Sequence, residues 1–242
     1  MLEKDESNNR KKKLLRRSHH TICTIKGKSQ RIKNGFKLVE YYSYIFGGFI
    51  QEADGRLVPT NDLIEVVTKN VAFTGAGEQG IRPSLNHTKS DEAQISLIAE
   101  RAGTKPMPRR DHSATMIGNN KYLLIYGGKN DSAFQYEKEM GAVNTSPRSG
   151  INSPETYRNS HQKTCLNDMM IFNFENFQWT AIAQHGFLPE ARWSASLAYS
   201  SHSNQLFLFG GHGAQGACSN EVFSCELSGE TVKRMEQEYR NH

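Results

Sequence analysis

Leu124-Ile125-Tyr126-Gly127-Gly128 is the stretch on which the fold turns. Near-copies occur as Tyr44-Ile45-Phe46-Gly47-Gly48 and Phe207-Leu208-Phe209-Gly210-Gly211. Their first glycines are 80 and then 83 residues apart. A short apolar run closed by turn residues reads as a strand. The paired glycines permit positive φ and close backbone approach, so they end the strand sharply.

The match extends outward in both directions. Downstream of each glycine pair comes an amide, an acid and an apolar run: Asn61-Asp62-Leu63-Ile64, Asn167-Asp168-Met169-Met170 and Asn220-Glu221-Val222-Phe223. Eleven residues after each acid stand Phe73, Trp179 and Val232. Upstream, Pro106-x-x-Arg109 and Pro189-x-x-Arg192 each place the arginine 18 residues before the first glycine. The first copy has Arg16-x-x-His19 or Arg17-x-x-His20, parallel to Arg109-x-x-His112. Within the second copy, His112–Ile117, Lys121–Tyr126, Met169–Phe174 and Trp179–Ala183 are predicted as four strands of an antiparallel meander. One face of such a sheet cannot bury itself alone, and radial stacking of copies buries it.

These residues resemble the kelch repeat. The likeness is best from Pro106 to Ala183 and spans most of 16–237. It implies an all-β, kelch-type β-propeller with three recognisable four-stranded blades and long loop insertions. The expected layout is a basic flexible arm at 1–15 and kelch repeats over 16–237, with a tail at 238–242. Blade one is expected at 16–77, an inserted linker at 78–105, blade two at 106–184 with an insertion at 129–166, and blade three at 189–237. Propellers close with about four to eight blades. Three blades therefore imply an incomplete ring, either part of a larger propeller or one completed by self-association.

The repeat positions are Gly47, Gly48, Asn61, Asp62, Arg109, His112, Gly127, Gly128, Asn167, Asp168, Trp179, Arg192, Gly210, Gly211 and Asn220. They are expected to be structural, serving interblade hydrogen bonds, charge pairs and turns. Trp179 and Phe73 are expected to pack between neighbouring sheets. The segments 74–105 and 129–166 are expected to emerge on one face, flanking blade two. Loops on a rigid scaffold are where partners bind. Candidate partner contacts are Arg82, His87 and Lys89 in the first segment, and Arg148, Tyr157 and Arg158 in the second. Asp91–Ala102 is expected as a short helix. Phosphorylation at Ser146-Pro147 and Ser153-Pro154 would add charge near Arg148 and Arg158.

Charge divides the 242-residue chain unevenly. Its formal +5 comes from residues 1–37, where twelve Lys/Arg meet three acids, while the other 205 residues hold 18 basic and 22 acidic side chains. Any attraction for nucleic acid rests on residues 1–37. No secretory leader is legible, and the apolar run 38–50 is interrupted and too short to span a bilayer. The four cysteines form no Cys-x-x-Cys and are read as free thiols, implying cytoplasm or nucleus. Zinc-ligand spacing is lacking, and no cofactor is expected. Gly75-Ala76-Gly77-Glu78-Gln79-Gly80 fits a dinucleotide fingerprint but has no βαβ context, so it reads as a loop. The expected function is a protein–protein interaction module, a scaffold or substrate adaptor and not an enzyme. The alternatives are nucleic-acid association through the basic arm, and a metal-dependent enzyme on a kelch-like propeller.

Overall fold

The computed structural model describes residues 14, 16–31, 36–52, 55–73, 93–99, 104–130 and 165–227. The architecture is all-β and propeller-like, built from several antiparallel sheets. The first unit comprises β1 (Arg17–Ser18), β2 (Thr21–Arg31), β3 (Phe36–Phe46), β4 (Phe49–Gln51), β5 (Leu57–Pro59), β6 (Leu63–Phe73) and β7 (Gln94–Leu97). The second comprises β8 (Ser113–Ile117), β9 (Tyr122–Lys129), β10 (Cys165–Asn173) and β11 (Gln178–Ala181). The third comprises β12 (Arg192–Trp193), β13 (Ser196–Ser200), β14 (Gln205–Phe209), β15 (His212–Gly213) and β16 (Val222–Glu226).

Each unit is a meander around its double-glycine strand. The main sheets run β2-β3-β6-β7, β8-β9-β10-β11 and β13-β14-β16, all with antiparallel neighbours. Every residue of β9 is buried because the second sheet is covered on both faces. Leu123, Ile125, Met170, Phe172 and Trp179 pack against Tyr44, Phe46 and Leu63 of the first sheet. On the other face, Leu124 and Ile171 pack with Leu206 of the third. Alternation along one strand thus supplies two interfaces.

The first unit departs from the sequence reading in three ways. Arg17 stands 30 positions before Gly47, against 18 in the other copies, and the 12 extra residues are not a loop insertion. They lengthen a hairpin whose strands β2 and β3 each have 11 residues, with a bulge between Lys26 and Ser29. Phe73 does not open the outer strand; it ends β6, paired with Phe36. Nor do Gln94–Leu97, within the expected helix, form one. They are β7, paired with β6, and Ile95 lies opposite Val66 as Trp179 lies opposite Phe172. Val66, Ile95 and Ile64 form one apolar cluster, so β pairing there buries side chains that an isolated helix would expose.

This strand also moves one insertion. The chain leaves β6 at Phe73 and returns at Ala93, which is the hairpin end of the first sheet. It leaves β9 after Lys129 and returns at Cys165, which is the opposite end. The two insertions therefore depart from opposite ends of the meanders, not from one face. Arg82, His87, Lys89, Arg148, Tyr157 and Arg158 lie outside the described residues, as do Ser146, Ser153 and Val232.

Candidate functional site

The end of the sheets that carries the glycine pairs is organised around three buried arginines. Arg17 Nη1 donates to the Gly47 carbonyl at 3.0 Å, Arg109 Nη1 to Gly127 at 3.0 Å and Arg192 Nη1 to Gly210 at 3.1 Å. Each Nε donates to a carbonyl just upstream, of Leu14, Met107 and Glu190 respectively. The acids complete the joints with graded strength. Arg109 makes a two-pronged pair with Asp168, both contacts at 2.7 Å. Arg192 Nη2 reaches Glu221 at 3.1 Å, while Arg17 lies 3.7 Å from Asp62. Hydrogen bonds from Arg192 and Ser219 hold the exposed Glu221 carboxyl below its usual range. Of the two first-copy candidates, Arg17 is the one in register.

The glycines make room for the next sheet. A Cβ on Gly47 (φ +63°) would lie 2.7 Å from the Arg109 carbonyl oxygen, and one on Gly127 (φ +61°) 2.6 Å from that of Arg192. Side chains are excluded there both by conformation and by space. Gly48 N donates to the Arg109 carbonyl at 2.8 Å, tying first unit to second. Two residues past each arginine, His19, Asp111 and Ser194 share a left-handed backbone with φ of 57°, 52° and 53°. Asp111 N donates to the His19 carbonyl, and Ser194 N to the Asp111 carbonyl, so one hydrogen-bonded chain crosses all three units.

The remaining repeat positions serve these joints or stand at the surface. Asn61 Nδ2 donates to the Pro106 carbonyl across units. The Asn167 carbonyl accepts from Gln184 Nε2, and Asn220 is exposed. Gly128 and Gly211 abut His112 and Ala195 of their own units. His112 is fully enclosed, with Nε2 2.6 Å from Thr21 Oγ1 of the first sheet and its ring edge-on to Phe46. Burial, then the charge of Arg109 and the neighbouring His20, push its pKa down to about 3.

The neutral His112 sets a pH dependence. An unfolded histidine takes up a proton near pH 6.5, whereas the folded one does not until about pH 3. The unfolded state therefore binds more protons between those values, and stability falls as the pH drops through that window. His112→Ala copies Ala195 of the third unit and should flatten this dependence. Relative to pH 8, the wild type should lose about 1.4 kcal/mol more than the variant by pH 5.5. Urea unfolding at several pH values measures it; parallel pH profiles would disprove the assignment.

Around the joints lies a rim of cations on aromatic rings. Arg110 sits 5.1 Å over Phe49, and the His19 ring is edge-on to the same phenyl. Arg110 also contacts Asp111. Lys129 Nζ lies 4.1 Å over Trp193, whose indole stacks on His212 at 4.3 Å. Cys218 Sγ is 3.5 Å from His212 Nδ1. Lys129 is buried and the Arg110 side chain is 18% exposed, whereas Trp193 and His212 are half-buried. The sequence reading singled out neither this rim nor the left-handed trio. The trio's signal is visible afterwards as the position two past each arginine.

Burial raises the Cys23 and Cys165 thiols to about 11, which keeps them protonated near neutral pH. Among the described residues, no three His, Cys, Asp or Glu side chains are grouped to hold a metal ion. No helix of the described residues is long and apolar enough to cross a membrane. A cleft of about 560 Å³ lies between the second and third sheets, lined by Tyr126, Leu206, Leu208, Phe223 and Cys225. In the interface between the first and second sheets, the corresponding space is filled by Trp179, which lies opposite Phe172, the counterpart of Cys225.

The sheets and joints define a propeller-like β protein. Its fold is similar to the structure of YjhT, with a TM-score of 0.51 and 16% identity over 87% of this chain and 49% of that one. In sequence, it is similar to the flagellar outer arm dynein alpha chain of Chlamydomonas reinhardtii, 26% identical over 145 residues. That match takes in 50% of this chain and 3% of the dynein chain. The chain thus spans about half of the first relative and a small fraction of the second. No protein-family model matches the sequence.

Proposed function

We propose that this chain forms three blades of a kelch-type propeller and acts as a protein-interaction module. The observation that carries the reading is the joint end, where the half-buried Trp193–His212 stack beside the buried Lys129 adjoins the point at which the 131–164 segment leaves β9. A rigid scaffold there offers a half-buried aromatic pair beside a long insertion, an arrangement suited to recognising another protein. Likeness to a short stretch of a very large dynein chain supports the role of a module within an assembly. The basic 1–37 stretch offers less free charge than its composition suggests, because Arg17 is taken up by Gly47 and Asp62.

Replacing 131–164 with a short Gly-Ser turn tests the reading, with the 74–92 replacement as its counterpart from the other end. The expected result is that the first replacement, or Trp193→Ala, removes a protein captured by the full chain, while the second leaves it bound. Circular dichroism checks that each variant remains folded. Unchanged capture by both rim variants would refute the proposed binding end. Loss that instead follows removal of the basic arm, together with steep salt dependence, would favour nucleic acid.

A further inference from the structure

Blade three turns to solvent the face that the other two blades bury. The glycine register places Phe209 where Phe46 and Tyr126 stand, and Phe207 where Tyr44 and Leu124 stand. Val222, paired with Phe209, occupies the place of Leu63 and Met169. Phe46 and Leu63 are completely buried by blade two, and Tyr126 is 2% exposed. Their counterparts Phe209 and Val222 are 53% and 67% exposed. The backbone carries the same imprint. A Cβ on Gly47 or Gly127 would strike the carbonyl of the following blade, but one on Gly210 meets only Ser219 O at 3.3 Å. Gly210 nevertheless keeps the left-handed φ of the other two, at +67°.

The geometry points to this face as the docking surface for blade one of a second copy of the chain, arranged head to tail so that two copies close one ring. The proposal rests on the propeller reading and names a partner for it. The two end units carry complementary backbone groups. The Ser194 carbonyl ends the cross-blade chain, and His19 N, its counterpart donor, begins it. The Arg17 carbonyl is the repeat equivalent of the one that lies over Gly127. The apolar faces also correspond. Blade two meets Phe46 and Leu63 with Ile125, Met170 and Trp179, and blade one carries Ile45, Ile64 and Ile95 at those positions. In the single copy Ile45, Ile64 and Ile95 are already buried, at 7%, 0% and 8% exposure, with Leu14 packed on them, so docking requires that cover to be displaced. Extent agrees as well: the chain spans 49% of YjhT, so two such spans make up a chain of that length.

Sedimentation of the full 242-residue chain, whose mass is 27.3 kDa, tests this directly. The expected species is a dimer of twice that mass. Phe209→Asp should weaken association at least tenfold, with an unchanged circular dichroism spectrum, because the side chain is exposed in the single copy. Val222→Asp should do the same and serves if the first variant aggregates. A folded wild-type monomer at every concentration would overturn the proposal, pointing to further blades of a longer polypeptide as the occupant. A dimer that persists in both aspartate variants would overturn it too. Neither outcome touches the blade reading, which stands or falls on the arginine joints.

Discussion

Trp179→Ala is expected to lower the unfolding free energy by about 3–5 kcal/mol. The indole is 3% exposed and is held between Phe46 of the first sheet, 4.9 Å away centre to centre, and Phe172 of its own, 5.1 Å away. It closes the interface built by Tyr44, Phe46, Leu63, Leu123, Ile125 and Met170. Truncation leaves a cavity that these strands cannot collapse to fill, because β3 and β9 are pinned by their own ladders. A contrasting site lies one interface away, where the cleft of about 560 Å³ already exists. Leu208→Ala on its wall should therefore cost less than Trp179→Ala. Urea titration monitored by circular dichroism compares the two, and a Trp179→Ala midpoint equal to wild type would remove the indole from the core.

Arg109→Ala should cost about 3 kcal/mol, the lower part of the range for breaking a buried ion pair. The guanidinium is completely buried, and its removal strands the Gly127 and Met107 carbonyls along with Asp168. The Asp168 side chain is 39% exposed, so water recovers part of the loss and holds the figure toward that lower end. Arg192→Ala should cost less, since its partner Glu221 is 54% exposed and held by one longer contact. Denaturant unfolding of the two variants gives the ranking. Equal costs, or an Arg109 variant within 1 kcal/mol of wild type, would show that the joints do not organise the sheets.

The repeat was legible because it recurs in residue types that have few substitutes. Only glycine tolerates a left-handed turn against a neighbouring carbonyl, and the arginine fork satisfies several oxygens at once. Those constraints hold Gly47, Gly127 and Gly210 in register with Arg17, Arg109 and Arg192 across insertions of different length. The outer strand of the first unit was not legible. Its partner position falls to Ile95 rather than Phe73, and Ile95-Ser96-Leu97-Ile98 is an apolar run too short for periodicity to tell strand from helix. Pairing with Val66, far away in sequence, makes it a strand.

The candidate binding surface divides in the same way. Long insertions and a basic arm are visible in the order of residues. Which end of the meander each insertion leaves from depends on which strand precedes it, and that was set by the placement of β7. The rim of Lys129, Trp193 and His212 draws on three segments brought together only by stacking of the second and third units. The sequence by itself determined that the chain repeats an all-β unit three times, because glycine and arginine leave a local mark. Tertiary structure decided which faces are buried, which ends carry the insertions and which aromatic groups remain open. Those properties arise from contacts between residues whose separation along the chain leaves no periodic trace.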